Sequence, residues 1–169
     1  GNIFGAVTLL LDRPFKMGDW IKVGAAEGEV FEIGIRTTQI RTSSDTVVTL
    51  PNAALVNKEI ENFGKRRWRR YLPVFYLDLD SDPKAVEDFC HAIEQMIADN
   101  EKTMKESDSY ALVNAISKDS IEVSCNLYWD IKSGLEEKRS REAFLVQVTY
   151  KAKELGLKFF EPRIRRSLE

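Results

Sequence analysis

The run LPNAALVNKEIENF, residues 50–63, divides the chain and decides how the sequence on either side of it is interpreted. Short β-branched runs precede it, and a mixed pattern of helices and strands comes after it. Pro51 has no N–H to donate to a sheet and has a fixed φ, so a strand must stop there. Asn52 can hydrogen-bond its own backbone and cap the residues after it. The stretch therefore predicts a tight turn, with a return strand over residues 56–63.

The residues upstream of this stretch are typical of short strands. Alternating apolar residues and frequent β-branched side chains predict strands over residues 20–23, 28–35, 36–43 and 46–50. Gly24 and Gly28 bracket one predicted turn, Gly18 can supply a positive φ in another, and Gly34 indicates a bend or bulge. Together with the return strand, these five short strands without an intervening helix predict a small closed barrel.

The first eleven residues, Gly1–Leu11, are almost entirely apolar. As a helix they place Ile3, Val7, Leu10 and Leu11 on one face and the two glycines, Gly1 and Gly5, on another. Such a helix rises about 16 Å, which is shorter than a hydrocarbon core of about 30 Å. Pro14 ends it, because the residue before a proline avoids the α region. The segment is therefore either an amphipathic core helix or the end of a membrane helix, whose glycine face lets neighbouring helices approach closely.

A basic segment comes after the strand region. Five cations lie between Lys65 and Arg70, interleaved with Trp68 and followed by Tyr71. Charge and aromatic rings in this pattern can bind a nucleic-acid backbone. The net charge of the chain is −2, however, and no recognised nucleic-acid motif accompanies the segment. A crossing between domains, in which the arginines meet the acidic residues 72–110, is the favoured interpretation.

The remaining sequence has the order β-α-β-β-α-β. Strands are predicted over residues 71–79, 110–117, 120–130 and 157–160, and helices from Asp82-Pro83 to about Ala98 and from Leu135 to Leu155. Asp82 and Pro83 have the residue types of an N-cap and a first helical position, and Gly156 can end the second helix. This order predicts a split βαβ, ferredoxin-like arrangement.

The sequence contains no convincing catalytic or metal-binding motif. Residues 78–82 resemble the start of a calcium loop, but Pro83 and Phe89 occupy the positions that require Gly and Glu. His91 is the single histidine, and its neighbour Cys90 would point about 100° away from it on a helix. Cys90 and Cys125 are isolated cysteines, which favours a reducing environment. We therefore predict no enzyme activity, no cofactor and no metal site.

The run at residues 50–63, taken together with DRPFKMGDWI at residues 12–21, resembles the small-conductance mechanosensitive channel (MscS-like) family. The family has a similar R-P-F-x-x-G-D/E segment, a strand run punctuated by glycines and a P-N turn, in this order and at about this spacing. The resemblance covers nearly the whole chain and is strongest in residues 1–63. The positions that carry it are Arg13, Pro14, Phe15, Gly18, Asp19, Gly28, Gly34, Pro51, Asn52, Asn62 and Phe63.

The resemblance implies a specific domain organisation. Residues 1–12 would be the end of a pore-lining transmembrane helix, residues 13–64 an Sm-like β-barrel domain, residues 65–161 the mixed α/β domain and residues 162–169 a C-terminal strand. Copies of that strand would form a small central barrel with Arg163, Arg165 and Arg166 at its mouth. In the first domain, Arg13, Pro14 and Phe15 would couple the helix to the barrel, and Asn62 and Phe63 would end the barrel.

The resemblance also implies a function. The chain would be part of a channel subunit opened by membrane tension to release ions and small osmolytes on hypo-osmotic shock, with this portion forming a cytoplasmic cage. It would belong to a multi-pass protein of the cell (inner) membrane that contacts the lipid bilayer through further N-terminal helices and assembles as a homo-oligomer, in the family a heptamer. The alternative is an Sm-like ring that binds single-stranded RNA through residues 65–70. A stand-alone scaffolding domain is a third interpretation.

Overall fold

The computed structural model describes residues 2–12 and 14–162, which group into two compact units that divide after Arg66. The elements of the first unit are α1 (Asn2–Asp12), β1 (Trp20–Val23), β2 (Ala26–Ile33), β3 (Thr37–Arg41), β4 (Val47–Pro51), α2 (Asn52–Leu55), β5 (Glu61–Asn62) and a 3-10 turn (Phe63–Lys65). Those of the second unit are β6 (Arg69–Tyr71), β7 (Val74–Asp78), α3 (Pro83–Asp99), β8 (Tyr110–Ile116), β9 (Ser120–Trp129) and α4 (Gly134–Glu154).

The first unit contains a five-stranded antiparallel sheet with the order β4-β3-β2-β1-β5. The four strands predicted upstream of Pro51 are confirmed, with ends that differ by a few residues. Alternate residues of β1, β2 and β3 point into one core, where Ile21, Val30 and Ile40 are fully buried. Leu9 of α1 and Leu55 of α2 belong to the same core, so both helices pack on this sheet.

The tight turn predicted at Pro51-Asn52 and the return strand predicted over residues 56–63 are wrong. Pro51 is the last residue of β4 and pairs with Thr37, and the chain then enters the short helix α2. Only Glu61 and Asn62 pair with β1. Ala53, Ala54 and Leu55 favour helix, and burial of Leu55 to 2% exposure holds that turn against the core.

The predictions made for the glycines of the first unit are only partly confirmed. Gly18 and Gly24 have φ values of +91° and +60°, which confirms the turns predicted there. Gly28, predicted to end a turn, lies inside β2 opposite Ile21. Gly34 closes the turn into β3 through its N–H to Thr37 O at 2.8 Å, and the bulge predicted there lies earlier in β2, after Val30.

The second unit confirms the βαββαβ order. The long strand β9 pairs with β6 and β7 on one side and with β8 on the other, all antiparallel. The helices α3 and α4 contribute Phe89, Ile93, Phe144 and Val148 to a core that they share with one face of the sheet, including Trp129. Asp82 accepts a hydrogen bond from Ala85 N at 2.9 Å, and Pro83 begins α3, which confirms the predicted helix start.

Two strand predictions in the second unit are wrong in extent. The strand predicted over residues 71–79 is interrupted between β6 and β7, where Pro73 cannot donate to the ladder. The closing strand predicted over residues 157–160 is reduced to a bridge between Leu77 and Phe159, supported by hydrogen bonds from Asp78 N to Lys158 O and from Phe160 N to Tyr76 O. None of the helices in residues 2–12 and 14–162 is long and apolar enough to cross a membrane.

Candidate functional site: the junction of helix α1 with the sheet

Helix α1 packs against the rest of the first unit through a glycine. Gly5 is buried, and a Cβ placed on it would lie 2.9 Å from both Cα and N of Ala53 on α2. Real Cβ atoms do not approach backbone this closely, so only glycine allows α1 to lie this close to α2. The glycine face predicted for contacts between neighbouring helices therefore serves, at Gly5, a contact within the chain, whereas Gly1 lies outside the described residues.

Asn52 holds α2 in place. Its Nδ2 donates to Gly34 O and its Oδ1 accepts from Thr38 Oγ1, both at 2.8 Å, while its backbone N–H donates to Arg36 O at 2.9 Å. Both Asn52 and Thr38 are completely buried. The local cap predicted for Asn52 is wrong, because its side chain bonds residues 14 and 18 positions away instead of the helix that it begins.

The beginning and the end of the first unit are joined by a second polar cluster. Asn62 Nδ2 donates to Pro14 O and to Asp19 Oδ2, each at 2.9 Å. Asp19 Oδ2 also accepts from Lys16 N at 3.0 Å, and Asn62 Oδ1 accepts from Gly64 N at 2.9 Å. Segments more than forty residues apart in sequence are thus held together next to the end of α1.

Gly64 belongs to this cluster although the sequence gives no signal for it. A Cβ on Gly64 would overlap the Asp19 carboxylate, so any other residue here would have to displace that carboxylate from its hydrogen bonds with Lys16 N and Asn62 Nδ2. Phe15 is 5% exposed and packs in the core with Leu9, which anchors the chain where α1 ends. Phe63 lies in the following 3-10 turn, with the Arg66 guanidinium 5.5 Å from its ring centre. Arg13 lies outside the described residues.

The side of α1 that faces away from the sheet is apolar. Ile3, Phe4, Leu10 and Leu11 are 64–82% exposed, and Val7 is 47% exposed. The face predicted from Ile3, Val7, Leu10 and Leu11 is therefore the exposed one, and Leu9 and Gly5 form the buried one. A large exposed apolar surface of this kind marks a site of contact with protein or lipid.

Two arginines of the basic segment, Arg69 and Arg70, bind partners outside the acidic residues 72–110 that were predicted to meet them. Arg69 donates to Glu137 Oε2 at 2.7 Å and to Lys132 O at 3.0 Å. Arg70 Nε donates to Asn126 Oδ1 at 2.9 Å, and the Arg67 guanidinium lies 4.5 Å from the Trp68 ring centre. The partners of Arg69 and Arg70 thus come from β9, from the start of α4 and from the loop between them. These contacts reduce the charge that the segment can offer to a nucleic acid.

The two cysteines resemble residues of a structural core more than residues of a catalytic site. Burial raises the pKa of the Cys125 thiol to about 12, and burial followed by the charge of Glu94 raises the pKa of the Cys90 thiol. Both thiols are free and buried. Within the part of the chain that the structure describes, no three His, Cys, Asp or Glu side chains lie close enough together to hold a metal ion.

Comparison with known proteins identifies similar sequences and folds. A family profile described as the β-domain of mechanosensitive ion channels matches residues 1–65. The chain is 36% identical over 103 residues to the small-conductance mechanosensitive channel MscMJ of Methanocaldococcus jannaschii, covering 61% of this chain and 29% of that protein. It is 29% identical over 140 residues to the mitochondrial mechanosensitive ion channel protein 1 of Arabidopsis thaliana, covering 81% of this chain and 27% of that protein.

Solved structures share the fold. The cryo-EM structure of Arabidopsis thaliana MSL1 superposes with a TM-score of 0.87 at 23% identity, over 95% of this chain and 58% of that one. The closed-state crystal structure of Helicobacter pylori MscS gives a TM-score of 0.84 at 21% identity, over 99% of this chain and 64% of that one. The chain thus spans less than a third of the length of each of the two curated relatives named above.

Proposed function

The chain belongs to the MscS-like family of mechanosensitive channels, and on this basis we propose that it is part of a tension-gated channel subunit. The complete channel opens when membrane tension rises and releases ions and small osmolytes on hypo-osmotic shock. Mechanosensitive channels are not a class of enzymes, and the proposal includes no catalytic step and no cofactor. The whole channel resides in the cell (inner) membrane as a multi-pass protein, with this portion on the cytoplasmic side.

The contact between Gly5 and Ala53 is the observation that supports this proposal most directly. Helix α1 has an exposed apolar outer face, and at Gly5 it lies directly against the backbone of α2 in the first unit. Tension favours the channel state of larger in-plane area. Because α1 is held against α2, a movement of α1 between the two channel states is transmitted to the sheet of the first unit. Residues 1–12 are then the end of the pore-lining helix, and Arg13, Pro14 and Phe15 couple it to residues 13–64.

The two polar clusters have a supporting role in the proposal. Asn52 fixes α2, against which α1 rests, and the bonds of Asn62 to Pro14 and Asp19 close the sheet unit next to the end of the helix. Gly18, Gly28 and Gly34 shape the strands that carry these groups. The domain of residues 13–64 then continues into the mixed α/β domain of residues 65–161 and the C-terminal strand of residues 162–169, of which residues 163–169 lie outside the described part.

The channel assembles from several copies of the subunit, and we infer a homo-heptamer that encloses a cage below the pore. The exposed apolar face of α1 is the surface expected of a helix surrounded by other copies and by lipid. An RNA-binding ring that uses residues 65–70 is the alternative, and the contacts of Arg69 and Arg70 within the second unit weigh against it.

The proposed function is tested by survival of hypo-osmotic shock. Cells that lack their own mechanosensitive channels are supplied with the full-length protein, grown at high osmolarity and diluted into water. The proposal predicts that survival rises to the level that a known channel restores. Survival equal to that of cells with an empty vector, while the protein is present and folded in the membrane, would contradict it.

A further inference from the structure

A cavity of about 490 Å³ lies between α3 and β8 in the second unit. This volume falls within the range of about 300–1,000 Å³ that is usual for small-molecule sites. Its walls are mainly apolar and include Leu79, Val86, Val113, Ile116 and Ile121. Ile116 is 73% exposed and Val113 is 45% exposed, so a ligand here would cover apolar surface that the described residues leave in water.

The polar side of the cavity is acidic. Glu87, His91 and Glu94 line it from one face of α3, where residues three and four positions apart are neighbours. Ala111 N donates to Glu94 Oε1 at 3.2 Å, which fixes this carboxylate beside the cavity wall. Glu87 and Glu94 are separated by seven residues, which places their helix positions about 10 Å apart along the axis.

None of the residues that line the cavity is a lysine or an arginine. Lys84, on the first turn of α3, forms an ion pair with Asp88 at 2.8 Å, so its ammonium group is engaged by a different carboxylate. The Cys90 thiol also lines the cavity, and burial, together with the charge of Glu94, raises its pKa and keeps it neutral. The cavity therefore combines an apolar floor with two carboxylates that no cation from its own walls neutralises.

We propose that this cavity binds a linear aliphatic diamine. The methylene chain lies on the apolar floor, and the two ammonium groups bind Glu87 and Glu94. The cavity is complementary to both parts of this ligand, because a methylene chain would cover Val113 and Ile116 and an ammonium group at each end would pair with a carboxylate. An anionic amphiphile of the same length would meet two like charges. The proposal does not depend on the channel function.

Isothermal titration calorimetry on the full-length protein in lipid nanodiscs tests the proposal with diaminooctane as the probe. The length-matched monoamine octylamine and the shorter diaminopropane should both bind more weakly, and octanoate should not bind. Glu94→Gln should weaken diaminooctane binding about tenfold, because it removes a charge-assisted hydrogen bond from a half-buried carboxylate. Glu87→Gln, at the exposed end, should weaken it about threefold.

Two further variants complete the test. Val113→Phe fills part of the cavity from an exposed position and should weaken binding without unfolding the unit, as checked by circular dichroism. Glu142→Gln removes an exposed carboxylate on α4 that does not line the cavity, and it should leave the affinity unchanged. Equal binding of octylamine and diaminooctane, equal losses in Glu94→Gln and Glu142→Gln, or no heat of binding at millimolar diaminooctane would each overturn the proposal.

Discussion

Replacing Asn52 by alanine should destabilise the first unit strongly. The substitution leaves the Thr38 hydroxyl buried and the Gly34 carbonyl half-buried without their amide partner, and Asn52 and Thr38 are both completely buried. Each buried group left unsatisfied costs about 1–3 kcal/mol, so we expect a loss of about 2–4 kcal/mol in the free energy of unfolding. With a urea m-value of about 2 kcal/mol/M, the midpoint should fall by about 1–2 M.

The assay monitors the first unit separately, because the two units need not unfold together. Trp20 is the only tryptophan of residues 1–66, so its fluorescence reports on this unit once Trp68 and Trp129 are replaced by phenylalanine in the background protein. Asn57→Ala, at an exposed position just after α2, is the matched control and should change the midpoint very little. Equal midpoints for the two variants would show that the buried hydrogen bonds of Asn52 do not stabilise the unit.

A double-mutant cycle separates the hydrogen bond from other effects of the substitution. Thr38→Val alone leaves Asn52 Oδ1 without the hydroxyl donor, whereas Thr38→Val combined with Asn52→Ala removes both members of the pair. The double variant should therefore be more stable than the sum of the single losses predicts, by about 1 kcal/mol. Strictly additive losses would show that the two side chains do not interact as described.

Three further outcomes are expected. Gly28→Ala should prevent the normal pairing of β2 with β3, because the added Cβ overlaps the Arg41 carbonyl, and circular dichroism should show loss of the first unit. The control Gly24→Ala, whose Cβ meets no neighbouring atom, should lower the free energy of unfolding by only about 1 kcal/mol. Glu137→Gln should lower the free energy of unfolding of the second unit by about 1–3 kcal/mol, because Arg69 and Arg141 both donate to this mostly buried carboxylate at 2.7 Å. An unchanged midpoint in urea unfolding would contradict that role. Cys125 should resist a thiol reagent at pH 8 until the protein is unfolded, and rapid labelling of the folded protein would contradict its burial. The pKa of this thiol is about 12 in the folded protein and 9.0 for a free thiol. Its contribution to stability is therefore present below pH 9 and is lost as the pH rises towards 12.

Regular periodicity made much of the fold predictable. In β9, the side chains of Val123, Cys125, Leu127 and Trp129 alternate with polar residues, and the structure buries all four. Asp82 and Pro83 carry local signals for a helix start, and α3 begins there. Signals of this kind depend on neighbours in sequence, so they can be read without knowledge of the folded chain.

The junction at α1 was only partly predictable. The motif positions Asp19, Asn52 and Asn62 were identified, but the partners that each one binds lie up to 48 residues away. The sequence does not predict the four-residue helix α2, because a run this short is not stable as a helix even with residues that favour one. The burial of Asn52 and Leu55 and the approach of Gly5 stabilise it. Gly64 gives no local signal, since the requirement for glycine arises from the Asp19 carboxylate beside it.

Helix α1, held on α2 by the contact of Gly5 with Ala53, is proposed to open a channel under tension. The decisive measurement is the current through excised lipid patches that contain the full-length protein while suction is increased. We predict tension-dependent openings, with a threshold that shifts in Gly5→Ala, where the new Cβ meets the Ala53 backbone, and stays constant in Gly134→Ala, whose Cβ meets only an ordinary contact at 3.7 Å. Patches that rupture without any opening, or equal thresholds in both variants, would contradict this proposal.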